Sequence, residues 1–197
     1  MRESRTWFFV VWVTLSVAGY AFAGYFGHFP GGYTGEDWKW SAALVGFVFG
    51  TATGGAVGLL QWLALKAFGF GGGGRWTLAH MAAFAATHAF LDFRSGALPF
   101  LWISAAGGAA LGVLVASARK EGAAGRLIWA AAGGLSWLAG LAASGRWLHG
   151  PSSAFMMNHI YDSIVVGLLC GAAFGLLLAR RDAGGGLQRA GNRGTRP

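Results

Sequence analysis

Five ionisable side chains fall inside long apolar runs: His80, His88, Asp92, His159 and Asp162. Charge is costly in hydrocarbon, so such residues point first to a function or to one another. The row His80, Phe84, His88, Asp92 has spacing four, which puts it on one face of a helix. His88 lies six residues before Arg94, about 9 Å from the end of its run at a helical rise of about 1.5 Å per residue. His159, five residues into the last run, falls at a similar depth, and Asp162 lies about one turn deeper. Three chemistries fit this set. Neutral imidazoles and carboxyls can tie two helices together by hydrogen bonds. The same groups can bind a solute or ion in an outer vestibule. Alternatively, His88 and His159 can act as facing ligands of a metal, haem or pigment, with Asp92 or Asp162 beside or behind them. No His-Glu-x-x-His or comparable metal motif occurs, so spacing does not choose among the three. In each case His88 is expected to approach His159 or Asp162.

Other chemistries find no footing in the residues. Cys170 is the single cysteine and sits in an apolar run, which leaves no intrachain disulfide or cysteine-rich metal site. Gly71 to Gly74 lacks the following Lys-Ser/Thr of a phosphate-binding loop. The net charge of +8 comes from basic residues scattered between apolar runs, without an aromatic-basic motif for nucleic acid. The segment Ala105-Ala106-Gly107-Gly108-Ala109-Ala110-Leu111-Gly112 is similar to the Gly-Ala-Ser-Gly segment of rhomboid proteases, and His159 begins a late helix as that family's base would. Gly107 stands at the nucleophile position, so acyl transfer has no attacking hydroxyl, and no enzymatic activity is expected.

The elements that hold these residues are membrane helices. Hydrophobic residues make up 55% of the chain and charged ones 11%, too little polar surface to cover a water-soluble globule. The chain has 35 Gly and 10 Trp; Gly lets membrane helices approach closely, and Trp favours the headgroup boundary. Crossing the bilayer takes roughly 20 apolar residues, and stretches near that length occur at 7–26, 40–68, 76–93, 98–118, 127–145 and 154–179. Twelve of the fifteen Lys and Arg lie at the N-terminus, in 66–75 and 119–126, and in the C-terminal tail; the alternate loops hold Lys39, Arg94 and Arg146. The positive-inside bias then puts both termini on the cytoplasmic side. His28, Glu36, Asp37 and His149 fall in the outer loops. A rival reading of the start is a cleaved signal peptide: Arg2 and Arg5, an apolar run, then Ala21-Phe22-Ala23.

Small residues recur every four positions on the even helices. Helix two carries Gly46, Gly50, Gly54 and Gly58; helix four Ser104, Gly108, Gly112 and Ala116; helix six Ser163, Gly167, Gly171, Gly175 and Ala179. Each even helix ends in basic residues (Lys66; Arg119 and Lys120; Arg180 and Arg181), and the odd helices open alike with Arg5-Thr6-Trp7, Arg75-Trp76 and Arg126-Leu127-Ile128-Trp129. The expected fold is therefore all-α: a polytopic bundle of six transmembrane helices, built as three helical-hairpin repeats (about 1–70, 71–124 and 125–182) around a pseudo-threefold axis. Residues 1–182 form one domain, and 183–197 read as a disordered basic cytoplasmic tail. Grooves of small residues favour close crossings, which places the even helices at the packed centre.

Helix two ends Gly58-Leu59-Leu60-Gln61-Trp62-Leu63-Ala64-Leu65-Lys66. This resembles a group of bacterial multi-spanning membrane proteins in which a Gly-rich helix ending in Gln-Trp-Leu and a basic residue recurs. The resemblance covers about 25 residues and implies architecture and a location in the bacterial inner membrane, with no activity attached. Locally, Gln61 reads as an interhelical hydrogen-bonding residue and Trp62 as part of an inner aromatic belt. The leading expectation is a non-enzymatic accessory or structural subunit, in contact with lipid and with other subunits or a second copy. A small-solute or ion transporter and a haem- or pigment-binding subunit are the alternatives.

Overall fold

The computed structural model describes residues 2–26, 38–70, 73–93, 97–143 and 155–191. They form six helices: α1 (Arg2–Phe26), α2 (Trp38–Ala67), α3 (Gly73–Phe93), α4 (Ala97–Ala118), α5 (Ala123–Ala143) and α6 (Phe155–Gly191). All except α3 are long and apolar enough to cross a membrane. In α3 the apolar run is interrupted by Thr77, His80, Thr87, His88 and Asp92. Large apolar side chains face outward all around the bundle, among them Leu44, Leu78, Trp102, Leu127 and Leu135. In water a surface of this kind would aggregate, whereas in lipid it is solvated. The chain is an integral membrane protein. Its last helix continues to Gly191, past Asp182 where the sequence reading ended the domain; Leu187-Gln188-Arg189-Ala190 are good helix formers. The loops carrying His28, Glu36, Asp37, Arg94 and His149 lie outside the described residues.

The helices pack as a closed circuit, α1 to α6 in order and α6 back to α1. Within it α2/α3, α4/α5 and α6/α1 are the extensive pairs, and α1/α2, α3/α4 and α5/α6 are lighter. The tight unit is thus not the hairpin seen in sequence but an even helix with the odd helix that follows it around the circuit. Small-residue faces account for the pairing. A β-carbon at Gly54 would lie 2.5 Å from the His80 carbonyl oxygen, one at Gly108 2.5 Å from the Gly133 carbonyl oxygen, and one at Gly171 2.8 Å from the Ser16 β-carbon. Gly50 meets the Phe84 carbonyl and Gly112 the Trp129 carbonyl at still closer range. Gly58 abuts Thr77, Gly167 the Tyr20 side chain and Gly175 the Trp12 ring. Gly46 is buried on the same face of α2.

The even helices do not form the centre, contrary to the sequence expectation. Every extensive contact joins an even helix to an odd one, and the rings that meet across the middle come from α1, α3 and α5. Glycine draws two backbones together along one line, and the volume left inside the circuit has to be filled by large residues from the partner helices.

Both described turns lie at the end of the bundle that carries Lys66, Arg75, Arg119, Lys120 and Arg126, here called the basic end. They close in the same way. Phe70 N donates to Leu65 O and Gly69 N to Lys66 O; Glu121 N donates to Ala116 O and Lys120 N to Ser117 O. These are Schellman caps, whose left-handed residue is Gly69 (φ 76°) in one and Lys120 (φ 59°) in the other. The second turn buries Glu121, with Arg119 Nε 3.8 Å from its carboxylate and Arg126 Nε donating to its carbonyl.

Candidate functional site

Inside the circuit, Trp12 of α1, Trp76 of α3 and Trp129 of α5 meet edge to face. Ring centroids are 5.4 Å apart for Trp12–Trp76 and 6.3 Å for Trp76–Trp129, both at 78°. Eight residues further along each helix, roughly 12 Å, Tyr20, Phe84 and Trp137 close a triangle with separations of 5.5, 6.2 and 5.2 Å. Edge-to-face pairs of this kind add about 0.5–1.5 kcal/mol each beyond area burial. Phe174 of α6 packs on Trp129 at 4.9 Å, and Phe8 stacks on Phe70 at 4.3 Å toward the basic end. The tryptophan count suggested a headgroup belt, yet Trp12, Trp76, Trp129 and Trp137 are core residues; Trp7 and Trp102 face outward.

Each buried polar group in these layers is placed by a neighbouring helix. The Trp12 indole donates to the Gly171 carbonyl (2.9 Å), where the glycine ladder lets the ring reach the α6 backbone. The Trp76 indole donates to Gln61 Oε1 (3.0 Å), and Gln61 Nε2 donates to Ser16 Oγ (2.9 Å). An indole N–H only donates, so it fixes which end of the Gln61 amide is oxygen. Gln61 thereby ties α1, α2 and α3 through a fully buried side chain. Toward the far end, Trp137 Nε1 donates to the Tyr20 hydroxyl (3.1 Å), which donates to Cys170 Sγ (3.5 Å), joining α5, α1 and α6.

His80 sits between the two aromatic layers with no exposed surface. Its ring lies 5.6 Å from that of Trp76 and 6.4 Å from that of Phe84. Nδ1 lies 3.0 Å from the Trp76 carbonyl oxygen, which can only accept, so Nδ1 carries the proton and Nε2 presents a lone pair. Nε2 is buried and has no hydrogen-bond partner among the described residues. His88, two turns along, donates from Nδ1 to the Phe84 carbonyl (2.9 Å) and stacks on the Phe84 ring at 6.0 Å. Asp162 is buried on α6. The side chains of Asp92 and His159 lie outside the described residues.

The expected approach of His88 to His159 lies outside the described residues, because the His159 side chain does; in the circuit α3 is flanked by α2 and α4, and α6 by α5 and α1. Among the described residues no three His, Cys, Asp or Glu side chains gather as a metal group. Gly107, at the position a rhomboid nucleophile would take, faces the Thr87 side chain so closely that any β-carbon there would overlap it. The polar centre of the described structure is instead His80 with Gln61, Ser16 and Trp76. Of these, Gln61 was legible as an interhelical hydrogen-bonding residue and Trp76 only as part of the repeated opening of the odd helices, while Ser16 carried no signal in the sequence beyond its residue type. No protein family, curated protein or solved structure matches the chain.

Proposed function

We propose that the protein is a non-enzymatic, membrane-embedded structural or accessory subunit, built as a pseudo-threefold array of six spans. The observation that carries this reading is the filled centre. Two aromatic layers, Trp12/Trp76/Trp129 and Tyr20/Phe84/Trp137, occupy the interior where a carrier would place its aqueous path. Corresponding contacts support the threefold register: Gly54, Gly108 and Gly171 meet His80, Gly133 and Ser16, and Gly58, Gly112 and Gly175 meet Thr77, Trp129 and Trp12. The basic end faces the cytoplasm of a bacterial inner membrane under the positive-inside bias, with both termini on that side. The exposed Phe90 of α3 and Trp102 of α4, on adjacent helices, supply an aromatic face on which a membrane partner can pack.

A small-solute or ion carrier is the second reading, favoured by the buried polar group at Ser16, Gln61 and His80 midway between the aromatic layers. Reconstitution of the pure chain into liposomes separates the two. The subunit reading predicts potassium, proton and amino-acid fluxes equal to those of protein-free vesicles. A saturable flux that falls when His80 is replaced would put the carrier in its place.

A further inference from the structure

The three thirds of the bundle are alike in packing but not in polarity. Where α1 has Ser16 and α3 has His80, α5 has Gly133, each against the matching glycine of an even helix. At this level the α1–α2–α3 side of the core carries a polar set, Ser16, Gln61, Trp76 and His80, while the Trp137–Tyr20–Cys170 link lies about one turn further along. That set is unbalanced. The Trp76 indole proton goes to Gln61 Oε1 and one Gln61 amide proton goes to Ser16 Oγ. The amide keeps a second proton and Ser16 its hydroxyl proton, neither of which those bonds use. His80 Nε2 is an acceptor that is fully buried and without a hydrogen-bond partner among the described residues. Gln61 holds Trp76, and the His80 ring lies one helical turn along the same face, 5.6 Å from that of Trp76, which puts the acceptor beside the layer that holds the donors.

A buried acceptor left unpaired costs about 1–3 kcal/mol, and the usual remedy in protein interiors is an ordered water with two to four polar partners. We propose that His80 Nε2 binds a single internal water molecule, which donates to the imidazole and accepts from the Ser16 hydroxyl or the Gln61 amide. Water fits this set because it supplies both a donor for the imidazole and an acceptor for the spare protons. A bare metal cation would satisfy the imidazole but would leave the spare amide proton of Gln61 without an acceptor. The bound water closes the polar link between α1, α2 and α3. It does so whether the chain is a subunit or a carrier.

Solid-state NMR on the full chain in lipid bilayers, with ¹⁵N-labelled histidine, tests this directly. The His80 signal can be assigned without any variant, because His80-Met81 is the only His-Met pair in the sequence. The expected result is an unprotonated Nε2 that receives polarisation from water at short mixing times, with Nδ1 protonated. In Ser16→Ala, which retains the β-carbon that packs on Gly171, or in Gln61→Leu, the transfer should drop toward background while Nδ1 stays protonated. A protonated Nε2, or no transfer from water to Nε2 in the unaltered chain, would overturn the proposal. So would metal bound to His80 at one equivalent, seen as a metal-shifted Nε2 resonance together with elemental analysis. Unchanged transfer in both Ser16→Ala and Gln61→Leu would also overturn it, since neither donor would then hold the water.

Discussion

Replacing Gln61 with Leu removes the amide that joins three helices. Hydrogen bonds between membrane helices are worth about 0.6 kcal/mol on average in double-mutant cycles, so the lost Gln61–Ser16 bond is a small part of the effect. The larger part is the Trp76 indole. It is fully buried, its N–H has no other role, and a stranded buried donor costs about 1–3 kcal/mol. Leucine recovers part of this through apolar packing, leaving a net destabilisation of about 2 kcal/mol. Trp76→Phe removes the donor but strands the Gln61 oxygen and opens space beside Trp12 and Trp129, so it should cost at least as much. The double variant has neither stranded group and should be about 1 kcal/mol more stable than the sum of the single effects predicts. Unfolding free energies measured in bicelles for all four proteins give this coupling. Additivity to within about 0.4 kcal/mol would show that Gln61 and Trp76 do not depend on each other, and the polar link as described would be wrong.

The ladder glycines give a second test. Gly54→Leu and Gly108→Leu drive a side chain into a carbonyl of the facing helix and should each cost at least about 3 kcal/mol, against under about 0.5 kcal/mol for the exposed control Ala82→Leu; native thermal stability in both would mean those faces do not pack. Gly171→Leu should also destabilise, because its nearest contact is the Ser16 β-carbon, which moves only with the α1 backbone. Gly69→Ala should cost about 1 kcal/mol by thermal unfolding purely through its left-handed backbone, since no atom lies within 4 Å of a β-carbon there. For orientation, single cysteines placed at 33 and 149 should react with an impermeant thiol reagent from outside and those at 72 and 122 only from inside, in a background lacking the buried Cys170. Labelling of 72 but not 33 from outside would invert the topology.

The helices were legible because the bilayer imposes a length on apolar runs, and the residues of each run follow from that constraint. α3 is the instructive case: Thr77, His80, Thr87 and His88 dilute its apolar character, yet His80, Thr87 and His88 each turn a polar group onto their own helix backbone. The ladders were legible as faces, since a spacing of four fixes which residues share a side. Spacing does not say what the side meets, and so the pairing of α2 with α3 rather than with α1 could not be read. The same gap explains the central layer. Trp76 and Trp129 each follow a basic residue near the start of a helix, the usual pattern of a headgroup anchor, and Trp12 lies about one and a half turns beyond the Trp7 that does so in α1; only the circuit turns these three inward. His88 was weighted by its depth below the outer loop, whereas His80 matters through an orphaned nitrogen that no residue spacing reveals.

Native mass spectrometry of the chain released directly from its own membrane tests the subunit assignment most directly. The account predicts species heavier than the 20.5 kDa chain by one or more protein masses, and loss of those species when Phe90 and Trp102 are both replaced by Ala. The bare 20.5 kDa chain as the sole protein species, with no other mass attached at any release energy, would contradict it.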